Sequence, residues 1–304
     1  MTSVDTEGTR RPFRSGFVAI LGAPNAGKST LLNRMLGQQL SITSKKPQTT
    51  RNRILGVAHR DDAQLVFLDT PGIHRAKSTL NTRIVEAALG TIAEADLILL
   101  VVDAQKPDPA SEKLLLAKLA TQKQPVLLAL NKIDLIERQA LLAMIDHWSA
   151  RLDTQAVVPV SAKSGEQVER LVAAMSSMLP PGPPFFDPDS LTDLPSRFLA
   201  AELIREKVLR FTGQEIPYAV AVTTDTFKSE KDGALIRIHA TIHVERDSQK
   251  GIVIGKNGSK LKQIGAAARQ AIEAMLETKV FLKLFVRVQK NWTRDTKALR
   301  KFGY

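Results

Sequence analysis

Apolar and polar positions follow two periods along this chain, and the switches between them mark its elements. Phe17 to Leu21 is a short apolar run that reads as a buried strand, closed by Gly22 and followed by the helix-forming Leu31, Leu32, Asn33 and Arg34. Strands are predicted over Arg53–His59 and Gln64–Asp69, joined by an Arg-Asp-Asp turn, and again over Leu97–Val102, Pro125–Leu130 and Ala156–Val160. Helical patterns over Thr79–Glu94, Ala110–Thr121 and Glu137–Leu152 lie between them. In the last, Leu141, Ile145, Trp148 and Leu152 recur on one face, which makes Trp148 and its neighbour Met144 core residues. Alternating strand and helix imply an α/β domain, a mostly parallel sheet with helices on both faces, whose ligands gather beyond the carboxyl ends of the strands.

The pattern breaks at Leu179-Pro-Pro-Gly-Pro-Pro184, where proline removes donors and holds the chain extended, and Phe185 to Pro195 shows no period. After it a second, α+β pattern begins. A helix is predicted over Arg197–Phe211, strands over Ala219–Thr226 and Leu235–Glu245, a long helical region over Ser259–Leu276, and a third strand over Val280–Val288. The expected division is therefore an arm at 1–15, a first domain at 16–180, a linker at 181–195 and a second domain with a basic tail at 196–304.

Candidate chemistry sits at the ends of the predicted strands. Gly22-Ala-Pro-Asn-Ala-Gly-Lys-Ser-Thr30 fits G-x-x-x-x-G-K-[ST] between a strand and a helix. There the backbone N–H groups of a tight glycine turn converge on an anion at the helix N-terminus. Lys28 reaches terminal phosphates and Ser29 ligates a magnesium ion bridging them. Asp69-Thr-Pro-Gly72 places a carboxylate for that magnesium and a glycine N–H for the last phosphate. Asn131-Lys-Ile-Asp134 supplies a carboxylate that accepts from N1–H and the 2-amino group of guanine; adenine would leave that charge unpaired, so GTP is selected over ATP. Asn131 braces the loop, the Lys132 stem covers the base, and a backbone N–H of Ser161-Ala162-Lys163 meets guanine O6. Gln38 to Asn52 is a polar segment without apolar period, an exposed loop able to change conformation.

Composition narrows the setting. The absence of cysteine excludes disulfides and thiolate zinc sites, and no apolar run approaches the roughly 18 residues of a membrane span, so a reducing cytoplasmic setting is expected. The five histidines lack ligand spacing, which leaves magnesium at the nucleotide as the metal expected. The net charge of +12 is concentrated late: Arg246 to Tyr304 carries 14 Lys and Arg against 4 Asp and Glu. Such a surplus favours a polyanionic partner. In the same region Gly255-Lys256-Asn257-Gly258 opens a predicted helix, where small residues let a nucleic-acid backbone approach and Lys256 and Lys260 attract phosphate. Beyond the last strand, Trp292 among Lys290, Arg294, Lys297, Arg300 and Lys301 either stacks an RNA base or caps the core.

Together, Gly22 to Thr30, Thr49 and Thr50, Asp69 to Gly72, Asn131 to Asp134 and Ser161 to Lys163 resemble the translation-factor class of small GTPases. Pro24-Asn25 with Lys46-Pro-Gln-Thr-Thr-Arg51 is similar to the Era family in particular, and the α-β-β-α-α-β order around Gly255–Gly258 resembles a type II KH domain. The resemblance implies a nucleotide site of Asn25, Ala26, Gly27, Lys28, Ser29, Thr30, Thr49, Thr50, Asp69, Gly72, Asn131, Lys132, Asp134, Ser161, Ala162 and Lys163. Magnesium would rest on Ser29, Asp69 and a switch threonine, Thr50 in preference to Thr49, and catalysis on Lys28, Thr50 and Gly72. Ile73 stands where Ras-like enzymes carry the water-orienting glutamine, so slow intrinsic hydrolysis is expected, with Asn25 helping to hold a potassium ion. For partners the resemblance implies the 3′ end of 16S ribosomal RNA and the 30S subunit during its assembly, bound through Gly255 to Gly258. It also implies a monomer in the cytoplasm with peripheral association at the inner face of the cell membrane. Two rivals are an RNA-binding module whose hydrolysis is incidental and a membrane-docked signalling GTPase, the latter leaving the Gly255–Gly258 loop unexplained.

Overall fold

Two sheets organise the chain. A computed structural model describes residues 12–43, 53–73, 90–213, 216 and 220–302. The first sheet has six strands: β1 (Arg14–Gly22), β2 (Ile54–His59), β3 (Ala63–Asp69), β4 (Leu97–Asp103), β5 (Val126–Asn131) and β6 (Ala156–Val160), in the order β2-β3-β1-β4-β5-β6. Only β2 runs antiparallel to its neighbour; β1 is central, with Val18 opposite Phe67 of β3 and Leu97 of β4. Both faces are covered, which is why Leu97 to Val101 is a continuous apolar run rather than an alternating one. On one face α1 (Lys28–Leu36) and α4 (Val168–Met178) bury Leu31, Leu32, Leu171 and Met175 against Val18, Phe67 and Leu99. On the other, α2 (Pro109–Leu119) and α3 (Arg138–Ser149) bring Leu115, Leu119 and Trp148 onto Ile98, Leu100 and Leu128. Trp148 is thus a core residue. Of the helix expected over Thr79–Glu94, residues 90–93 are helical and the rest lies outside the described residues.

One boundary needs correction. Arg14 and Ser15 belong to β1 rather than to an arm, and Arg14 N–H donates to Asp62 O at 3.0 Å. Residues 181–195, the segment expected as a linker, run along the β2–β3 side of the sheet. Gln64 Oε1 accepts from Phe185 N–H at 2.7 Å and Phe186 N–H at 3.0 Å, Val57 N–H donates to Leu191 O at 2.8 Å, and Thr192 Oγ1 donates to Leu55 O at 2.6 Å. Prolines predict an extended chain but not the edge that will satisfy its backbone.

The second domain runs α5 (Ser196–Phe211), β7 (Ala221–Glu230), β8 (Leu235–Val244), α6 (Asp247–Ile254), α7 (Ser259–Leu276), β9 (Lys279–Val288) and α8 (Thr296–Lys301). Its sheet order is β7-β8-β9, the first pair antiparallel and the second parallel. Helices α5 and α7 pack Ile204, Val208, Ile264 and Ile272 on Ile238, Ala240 and Ile242 of one sheet face. Helix α6 is the first of the two helices in the expected α-β-β-α-α-β order, for which the sequence pattern gives no range. Its start is fixed by Gln249 Oε1, which accepts from Glu245 N–H at 2.8 Å and Arg246 N–H at 3.1 Å.

Trp292 settles on the core side of the two readings. It is 0% exposed, clustered with Ala221, Ala298 and Leu299, and its ring meets Phe302 edge-on at 5.1 Å. A ring without an exposed face stacks no base, so the RNA-binding role expected for it is corrected. The two domains touch directly: Leu40, Ile54 and Leu199 are buried together, and Gln39 Nε2 donates to Glu206 Oε2 at 2.8 Å.

Candidate nucleotide site and RNA loop

Every strand of the parallel set ends at the same rim. Gly22 closes β1, Asp69 closes β3, Asp103 closes β4, Asn131 closes β5, and Ser161 follows β6. The phosphate loop between β1 and α1 depends on two glycines. Gly22 has φ 153°, and a Cβ there would lie 2.2 Å from Val101 O; Gly27 has φ 97°, and its Cβ would lie 2.1 Å from Asn131 Nδ2. Side chains are sterically barred at both. Asn25 is exposed with φ 63°, at the top of the loop. Ala26 is buried, and Thr30 lies in the first turn of α1.

Lys28 is buried, and its Nζ donates to Gly22 O at 3.1 Å and Ala23 O at 2.9 Å. Burial pushes its ammonium down to about 8, while the Asp69 carboxylate opposes the shift. A desolvated cation in a loop of N–H groups is suited to a polyphosphate, whose negative charge would stabilise the ammonium that burial disfavours. Ser29 Oγ and Ser41 Oγ each donate to Asp69 Oδ2 at 2.9 Å. Hydroxyl and carboxylate oxygens converging at the phosphate loop form a hard donor set that fits magnesium. Gly72 seals the other side: a Cβ there would fall 2.8 Å from both Cα and N of Pro24. Ile73 N–H donates to Gly22 O at 3.1 Å, while its side chain is buried with Leu21 and Leu100 in the core. Thr49 and Thr50 lie outside the described residues.

At the end of the rim where the base is expected, Asn131 braces the loops. Asn131 Nδ2 donates to Ala26 O at 2.8 Å and its Oδ1 accepts from Ala162 N–H at 3.0 Å, tying the base loops to the phosphate loop. Lys132 takes a left-handed φ of 69° and its Nζ reaches Asp103 Oδ2 at 2.5 Å. Asp134 is exposed, with Oδ1 accepting from Ser161 Oγ at 2.7 Å. Arg34 supports the last loop from α1, donating through Nε to Ala162 O at 3.3 Å and through Nη2 to Lys163 O at 2.5 Å. Sequence reading passed over Arg34, Ser41 and Asp103. Asp103 was within reach, since it ends its strand as Asp69 ends β3.

The second candidate loop joins α6 to α7. Gly255 has φ 72° and Gly258 φ 75°, and a Cβ on Gly255 would lie 2.7 Å from Lys260 Cβ. Lys256 and Asn257 are exposed between them. Helix α7 starts at Ser259 with no acidic residue in its first turn, so no carboxylate of that turn offsets the positive end of the helix.

Comparison with known proteins identifies both domains. One family model, described as 50S ribosome-binding GTPase, matches residues 17–132, and another, described as KH domain, matches 215–293. GTPase Era of Geotalea uraniireducens strain Rf4 is 55% identical over 296 residues, covering 97% of this chain and 99% of the relative. GTPase Era of Geobacter metallireducens is 54% identical over 293 residues, covering 96% and 98%. The chain belongs to the Era family of GTPases. A crystal structure of Aquifex aeolicus Era, a variant bound to GDP·AlF4−, matches at a TM-score of 0.92 and 40% identity, covering 96% of this chain and 99% of that one. An Era structure in complex with MgGDPNP and nucleotides 1506–1542 of 16S ribosomal RNA matches equally, at a TM-score of 0.92 and 40% identity, with coverage of 96% and 99%. This Era-family chain is a GTPase with a type II KH domain, hydrolysing GTP to GDP and phosphate.

Proposed function

We propose that the chain couples its GTPase cycle to binding the 3′ end of 16S ribosomal RNA, and so assists assembly of the small ribosomal subunit. The observation that carries this reading is the direct contact between the domains. Ser41 shares Asp69 Oδ2 with Ser29 at the magnesium site, and two residues away Gln39 donates to Glu206 of the KH helix α5. A change at the phosphates that moves Ser41 is therefore applied to the KH domain through a short, packed connection. The large-subunit description of the broader family model is the less specific guide; a relative similar over nearly the full length holds 16S RNA.

In this reading Asn25 to Thr30 cradle the phosphates, and Lys28 and Gly72 N–H neutralise charge on the last of them. Ser29, Asp69 and Thr50 or Thr49 would hold magnesium, which would supply charge neutralisation to the phosphates. Asn25 contributes to a potassium site, so hydrolysis should be faster in potassium than in sodium chloride. Gly255, Lys256, Asn257, Gly258 and Lys260 receive the RNA backbone. The protein works as a cytoplasmic monomer with peripheral contact at the inner membrane face.

The test is GTP hydrolysis in potassium buffer with and without RNA of the small-subunit 3′ end, beside Lys256→Asp. RNA should raise the rate and the variant should lose that stimulation. Tight RNA binding without stimulation would instead favour a binding module with incidental hydrolysis.

A further inference from the structure

The outer face of the KH sheet, opposite α5 and α7, carries side chains that neither the nucleotide site nor the Gly255–Gly258 loop uses. On edge strand β9, Phe281 and Phe285 are 45% and 41% exposed. They lie about 13 Å apart along the strand. His239 of β8 fills the interval, its ring centroid 6.4 Å from Phe281 and 6.3 Å from Phe285. The result is a strip of three rings. Cations border it: Arg237 Cζ lies 4.7 Å from the Phe281 centroid and Lys283 Nζ lies 5.3 Å from that of Phe285. Lys279 and Arg287 alternate on the same face of β9, and Lys228 of β7 pairs opposite Arg237. Among the described residues two acids share this face, and both are engaged: Glu230 accepts from Arg237 Nε at 2.6 Å, and Asp225 accepts from Thr223 at 3.2 Å and Thr241 at 2.5 Å.

We propose that this face is a second single-stranded RNA surface, on which bases stack on Phe281, His239 and Phe285 while Lys283, Arg287 and Lys228 take the phosphates. Lysines alone would suffice to keep an edge strand from pairing with another chain. They do not account for two exposed phenylalanines with no core to fill. A protein or lipid partner would favour apolar continuity, whereas here each phenyl ring has a cation beside it, the combination that suits π-faced bases on a charged backbone. The strip faces away from α7, the helix that the Gly255–Gly258 loop opens, so one strand of sufficient length, or two segments of one RNA, can engage both. The proposal rests on the RNA-binding reading above for the polymer involved, and its test separates the two.

Full-length protein is compared with a Phe281→Thr, Phe285→Thr double variant, threonine being suited to a strand, and with Lys256→Asp. Two probes are used: RNA spanning nucleotides 1506–1542, the segment held by the solved relative, and a single strand of about four to six nucleotides that fills only a KH groove. The double variant should bind the long RNA about tenfold more weakly, with unchanged affinity for the short one and an unchanged melting temperature. With 4-thiouridine in the long RNA, ultraviolet crosslinks should map to residues 279–287 as well as to 255–260. Crosslinks confined to 255–260, or equal weakening for both RNAs, would overturn the proposal and leave the loop reading intact. Crosslinks confined to 279–287 would do the reverse. If the double variant changes the sedimentation of RNA-free protein, the face is a contact between chains and the proposal falls.

Discussion

Binding of GDP should draw a proton onto Lys28, and the amount can be worked out from its surroundings. Burial lowers its pKa from 10.5 to about 8, against the pull of Asp69. A bound diphosphate adds negative charge beside the ammonium and returns the pKa toward its ordinary value. Uptake on binding should then be about 0.1 proton at pH 7, about 0.5 at pH 8 and about 0.9 at pH 9. Calorimetry of GDP binding with magnesium, repeated at each pH in buffers of different ionisation enthalpy, measures it directly. Uptake that stays flat from pH 7 to 9, or net proton release, would refute the reasoning. The same shift bears on stability of the nucleotide-free protein. A lysine with a lowered folded pKa costs about 3 kcal/mol while protonated in both states, and the penalty lifts as pH rises from about 8 to 10.5, where the unfolded chain binds more protons. Relative to Lys28→Met, the protein should therefore gain stability across that window in denaturant titrations.

Two further outcomes follow from single contacts. Asp134→Asn replaces an acceptor that meets two guanine donors, so GDP affinity should fall by about 3 kcal/mol while xanthosine diphosphate, with a carbonyl in place of the 2-amino group, gains. Competition binding reads both. Trp292→Ala should destabilise the KH domain by about 3–5 kcal/mol through a cavity beside Phe302, whereas the better-packed Trp292→Phe should keep RNA affinity unchanged; loss of affinity in that stable variant would restore the stacking role.

What was legible in the sequence was local. Gly22 to Thr30, Asp69 to Gly72 and Asn131 to Asp134 are contiguous runs whose spacing is the chemistry, and the parallel sheet brings their strand ends to one rim. Support from elsewhere in the chain was not legible. Arg34 reaches Ala162 and Lys163 only because α1 and the loop after β6 lie on the same side of the sheet. The α-β-β-α-α-β order calls for helix α6, but its range is not legible from periodicity, because Gly251 and the apolar run Ile252 to Ile254 suit a loop as well as a turn of helix, and the Gln249 contacts fix its start. Trp292 among cations is the same pattern whether it caps a core or stacks a base; Ala298, Leu299 and Phe302 decide it by covering the ring. The two exposed phenylalanines of β9 read as one more alternating strand, since alternation does not say which face a helix will cover.

The central claim is that the nucleotide state sets how the KH domain presents itself to RNA. Its most direct test is the affinity of full-length protein for RNA spanning nucleotides 1506–1542, measured with a non-hydrolysable GTP analogue, with GDP and without nucleotide. The account predicts binding at least about fivefold tighter with the GTP analogue than in the other two states; equal affinity in all three would contradict it.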